Sequence, residues 1–161
     1  MIKYVPEMTS VVMEEIPDMV CLAVDISNCL GQCEGCHSPF LMDNIGRELT
    51  PAVVDALISD NFGVNCFLLL GEGNDQKAFL DLARYVKSAH KDLALAIYSG
   101  RTEVDDEFYS LFDYVKVGPY IPSRGPLNNR NTNQRLYHIV KGQKIDITSR
   151  FWHHGIDPNV K

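Results

Sequence analysis

The sequence has no apolar run near the ~20 residues needed to cross a bilayer. It also lacks a secretory leader pattern, because Glu7, Glu14, Glu15 and Asp18 interrupt Met1–Met19. Basic residues are in deficit, 15 Lys and Arg against 21 Asp and Glu, for a formal net charge of −6. They are scattered rather than gathered into the basic stripe that displaces counterions from phosphates, so nucleic acid is set aside as a partner. No internal repeat or low-complexity tract divides the 161 residues, a length that fits one domain. These absences lead to the expectation of a single cytoplasmic globular domain over 1–161 with no membrane association.

Short apolar segments alternate with amphipathic ones. Val20 to Ile26, Val64 to Leu70, Leu93 to Tyr98 and Tyr114 to Val117 read as strands. The second is a continuous apolar run of the kind found in parallel strands covered on both faces. Thr50 followed by Pro51 reads as an N-cap and a first-turn proline, and Val53, Val54, Leu57 and Ile58 give that helix one apolar face. Asn74 is the expected cap of a second helix with the stripe Ala78, Phe79, Leu82, Ala83, Val86 and Ala89. A short helix is expected around Phe108 to Phe112, a loop over Pro119 to Arg135, and a last strand at Leu136 to Val140. Residues 142–161 carry no assignable pattern and read as a C-terminal tail.

Strand–helix alternation predicts an α/β fold with a parallel sheet, open or curved into part of a barrel. In such folds ligands bind at the carboxyl ends of strands. Ser27–His37, Gly71–Asn74, Ser99–Arg101 and Gly118–Tyr120 would then lie on one face.

Three of the five cysteines crowd into the first of these segments, Cys29-Leu-Gly-Gln-Cys33-Glu-Gly-Cys36. A cytosolic chain gains little from disulfides, so such a cluster points to metal or redox chemistry. The spacing C-x3-C-x2-C suits three irons of a 4Fe–4S cluster. With no fourth cysteine nearby, one iron is left open for a non-protein ligand. Gly31 and Gly35 suit a loop whose backbone approaches a cofactor. The competing reading is structural zinc, with Cys33, Cys36, Cys29 or His37, and Cys66 as a distant fourth ligand. Such a site would make the chain a non-catalytic assembly module. Cys21 and Cys66 sit in apolar runs and read as small core side chains.

C-x3-C-x2-C directly after a first strand resembles the radical S-adenosylmethionine (SAM) enzymes. Further segments are similar to the activating enzymes of anaerobic ribonucleoside-triphosphate reductases. Cys33-Glu-Gly-Cys36-His37-Ser-Pro39 resembles their C-P-G-C-H-N-P, and Tyr98-Ser99-Gly100-Arg101 their aromatic-[ST]-G-[YR] turn. Asp113 to Tyr120 is similar to D-x-L-x-D-G-P-[FY], and Thr132-Asn133-Gln134-Arg135 to S-x-N-Q-R. The chain departs from that family in three places. Leu70-Gly71-Glu72-Gly73 stands for G-G-[ED]-P, Val117 for the Asp before G-P, and Glu15-Ile-Pro17-Asp18 for D-G-P-G.

The resemblance implies a small partial (βα) barrel with helices outside, a 4Fe–4S cluster on Cys29, Cys33 and Cys36, and SAM on the open iron. One electron from the cluster would split SAM into methionine and a 5′-deoxyadenosyl radical. Glu72 is expected to accept the methionine ammonium, with Gly71 admitting the backbone. Gly35, Cys36 and His37 would approach the adenosine, and Ser99 would hydrogen-bond the carboxylate or ribose. The implied partners are the large catalytic subunit of the reductase, which would receive a glycyl radical, and an electron donor such as flavodoxin. Another small radical SAM enzyme acting on a small molecule is the alternative within the superfamily.

Overall fold

The computed structural model describes residues 1–27 and 45–152. They form nine strands and three α-helices: β1 (Lys3–Tyr4), β2 (Ser10–Val12), β3 (Cys21–Asp25), β4 (Arg47–Glu48), α1 (Pro51–Asp60), β5 (Cys66–Leu70), α2 (Gln76–Ala89), β6 (Ala94–Tyr98), α3 (Asp106–Leu111), β7 (Tyr114–Val117), β8 (Arg135–Val140) and β9 (Gln143–Asp146). Seven of the strands make one sheet in the order β2-β3-β5-β6-β7-β8-β9, while β1 pairs with β4 and meets the end of β3 through a Tyr4–Ile26 bridge.

The four expected strands are the parallel centre of that sheet, β3-β5-β6-β7. The sheet as a whole is mixed rather than parallel, because β2, β8 and β9 add antiparallel edges. The chain between β7 and β8 holds no helix to carry it back over the sheet, so β8 returns antiparallel. No barrel closes among the described residues. Residues 143–152, read from sequence as part of a tail, form β9 and a 3-10 turn that buries Thr148 and Phe151.

Local chemistry explains the helices. The Thr50 hydroxyl accepts the Val53 amide at 3.2 Å and Pro51 opens α1, as expected. The cap of α2 falls one residue later than Asn74: the Asp75 carboxylate accepts the Ala78 amide at 3.1 Å. The N-terminal ammonium also binds Asp75, at 2.8 Å, and together these contacts hold its carboxyl below the usual range.

All three helices pack on one face of the sheet. Val54, Phe79, Ala83, Val86 and Phe108 meet Leu22, Val24, Phe67, Leu69 and Ile97 there. The opposite face carries Cys21, Ala23, Cys66, Leu68 and Ala96, and is covered by Ile16, Leu127 and Ile147 from irregular segments and by Phe151 of the 3-10 turn. Cys21 and Cys66 are register partners on that second face, each fully buried. The neighbouring Cys21 sulfur and burial push the Cys66 thiol up.

Candidate functional site

The carboxyl ends of β3, β5, β6 and β7 are level with one another, as main-chain bonds across the edge show. The Ile26 amide donates to Leu70 at 3.0 Å, Gly71 to Tyr98 at 3.0 Å, and Ser99 to Lys116 at 2.9 Å. The turns after β5, β6 and β7 therefore stand side by side, next to the point where Ser27 leads into the cysteine segment. Cys29, Cys33, Gly35, Cys36 and His37 lie outside the described residues.

Gly71 takes φ +108°, a conformation that disfavours any side chain, and a Cβ there would stand 3.4 Å from the Ile26 carbonyl. The turn it begins aims Glu72 along the edge. Glu72 Oε1 accepts Arg101 Nη2 at 2.7 Å, and Oε2 accepts Arg101 Nε at 3.2 Å. The Ser99 hydroxyl donates to the same Oε2 and accepts the Arg101 amide at 3.1 Å. Ser99 thus ties the turn after β6 to the one after β5. The Glu72 side chain is 17% exposed and that of Arg101 41%, so the pair opens to solvent from the Arg101 side. Phe108 of α3 lies under the guanidinium at 5.2 Å.

The third turn is anchored to the second. The Gly118 amide donates to the Arg101 carbonyl at 2.6 Å, and Lys116 Nζ donates to the carbonyls of Ser99 and Gly118 at 3.1 and 2.9 Å. Behind it the 119–134 loop is cross-bonded: Thr132 Oγ1 to Gly125 O at 3.1 Å, and Asn133 Nδ2 to Pro119 O at 3.0 Å. Among the described residues, Asn133 Oδ1 is the buried side-chain atom left without a hydrogen-bond partner.

On the face away from the helices, register aligns Asp25, Leu70, Tyr98 and Lys116 in one row at this edge. Asp25 is only 8% exposed. Burial, and then the charge of Glu15, push its carboxyl up to about 6. Glu15 belongs to the segment crossing this face, where its carbonyl accepts the Tyr98 hydroxyl. Its own carboxyl is raised by burial and by Glu14.

The structure therefore brings Gly71, Glu72 and Ser99 together, as expected from sequence. It adds Arg101, quoted only as part of a turn motif, and Asp25, which as one acid at the end of an apolar strand gave no signal. Among the described residues no group of three or more His, Cys, Asp or Glu could hold a metal. Cys66, the distant fourth ligand of the zinc alternative, is fully buried at the amino end of β5, and the other ligands of that alternative lie outside the described residues.

Compared with known proteins, the chain matches no family model, no curated protein and no solved structure. No helix among the described residues is long and apolar enough to cross a membrane.

Proposed function

We propose that this protein is a small radical SAM activating enzyme. In this reading a 4Fe–4S cluster on Cys29, Cys33 and Cys36 and a bound SAM serve to place a glycyl radical on the large subunit of an anaerobic ribonucleoside-triphosphate reductase. The observation that carries the reading is the Glu72–Arg101 pair at the carboxyl edge, beside the exit of β3 into the three-cysteine segment. An α-amino acid group carries an ammonium and a carboxylate, and this pair offers one partner to each. The described residues thus fit the amino-acid end of SAM.

When bound, the reduced cluster supplies the electron that cleaves the sulfonium. The chain's own part is to hold and orient. Glu72 accepts the ammonium, Arg101 swings from Glu72 toward the carboxylate, and Ser99 keeps the acid in place. Gly35 and His37 are assigned to the adenosine side. Placement of the three described α-helices on one face supports a partial barrel of the radical SAM type, whose inner face would be the one bearing Asp25 and Lys116. The 119–134 loop, with Ile121 37% exposed, is the contact offered to the reductase. A flavodoxin-like donor and a cytoplasmic setting complete the reading.

Glu72→Gln is expected to weaken SAM binding by one to two decades while leaving iron content unchanged. A charge-assisted hydrogen bond contributes ~1.5–3 kcal/mol. Calorimetry on the iron-loaded variant checks this, and equal affinity would confine Glu72 to holding Arg101. The decisive test is anaerobic. Reduced protein, SAM and the reductase are mixed, and a glycyl doublet is sought by electron paramagnetic resonance. Cleavage of SAM with no radical on the reductase, while a small molecule is turned over, would overturn the activating role.

A further inference from the structure

A carboxylate that is nine-tenths buried needs a hydrogen-bond donor or a cation, because desolvation otherwise disfavours its charge. Asp25 has neither among the described residues: no donor reaches its side chain, and the one charge that perturbs it is the like charge of Glu15. Lys116 is the cation on its row, but three strand spacings, about 14 Å, separate them, and Lys116 Nζ is bonded to Ser99 and Gly118. Tyr98, which lies between, turns its hydroxyl to the Glu15 carbonyl. The 28–44 segment contains no Lys or Arg at all, and its formal charges are those of Glu34 and Asp43. The carboxylate oxygens are also not sealed, since neither counts among the fully enclosed unpartnered atoms. Asp25 therefore holds a buried negative charge with no compensating partner among the described residues, deepened by Glu15, on the row just below the turn that carries Glu72.

We infer that Asp25 is the counter-charge for the positive sulfonium of the bound cosubstrate, and so sets a preference for a sulfonium over the corresponding neutral thioether. The inference rests on the proposed function, and it adds a role for a residue outside the edge cluster. A ligand whose amino-acid end sits on Glu72 and Arg101 can extend over Leu70 toward Asp25, which is Leu70's register partner. Glu72 would recognise the ammonium, which sulfonium and thioether compounds share. Asp25 would recognise the charge in which they differ.

SAM and S-adenosylhomocysteine make the comparison, because they differ by one methyl group and one positive charge. Their dissociation constants are measured on iron-loaded protein under anaerobic conditions for the wild type, Asp25→Asn, Asp25→Ser and Glu72→Gln. The wild type is expected to prefer SAM. That preference should fall about tenfold in both Asp25 variants, the loss of one charge-assisted contact. Glu72→Gln should weaken both compounds alike and keep the ratio. A ratio within one variant is insensitive to partial misfolding, and two neutral replacements guard against a packing effect of either. An unchanged ratio in both Asp25 variants, or no preference in the wild type, overturns this inference alone. Failure of both compounds to bind the wild type overturns the proposed function and this inference with it.

Discussion

Cys33→Ala, prepared anaerobically, is expected to carry almost no iron, against about four irons per chain in the wild type. Cys29→Ala and Cys36→Ala should behave alike. A cluster held by three thiolates has no protein ligand to spare, so the effect is close to all-or-none. Cys66→Ala and Cys21→Ala should retain full iron and sulfide. Both side chains are fully buried at the amino ends of β5 and β3, far from where Ser27 leads into the three-cysteine segment. Each loses a small apolar contact and leaves one thiol without its neighbour, a cost of about 1 kcal/mol that the fold can absorb. Iron and sulfide counts on the five single variants decide the matter. Full content in Cys33→Ala, or loss in Cys66→Ala, would overturn the ligand assignment.

Phe108→Ala is expected to destabilise the protein by about 3–5 kcal/mol, the usual range for emptying a buried phenylalanine site. Phe108 is fully buried in a stack with Phe79 and Phe112, at 6.2 and 5.8 Å between ring centroids. Phe79 comes from α2, so the stack fastens α3 to its neighbour and to the sheet. The same ring supports the Arg101 guanidinium at 5.2 Å, and its loss should loosen the Glu72–Arg101 pair too. Denaturant unfolding at fixed temperature measures the first effect. A shift under 1 kcal/mol would mean that the two remaining rings close the gap.

Much of the fold could be read because its central elements bury one face or both. The runs behind β3, β5, β6 and β7 are apolar enough to announce buried strands, and Thr50-Pro51 fixes the start of α1 by cap chemistry alone. Where two capping residues stand together, as at Asn74 and Asp75, residue type cannot choose between them. The choice fell to Asp75, which also meets the N-terminal ammonium. The edge strand β9 left no trace because all four of its residues are exposed, so it has no alternation to detect. The antiparallel return of β8 was implicit in the helix-free 119–134 loop.

The edge cluster was half legible. Glu72 and Ser99 stand in glycine-containing turns after strands, and topology predicted that those turns would meet. That Arg101 would occupy Glu72 depends on how far a long side chain reaches, which spacing does not encode. Asp25 could not be singled out, because its isolation is a property of its neighbours and becomes visible only when the sheet register is known.

The pairing of Cys21 with Cys66 has a practical consequence for any chemical study of this protein. Both sulfurs are sealed in the sheet, so they are spectators to alkylating reagents in the native state. Thiol reactivity of the folded protein then carries no signal from Cys21 or Cys66, and these two silent residues emerge only in denaturant. The difference between the two titrations is a built-in gauge of how much of a preparation is folded.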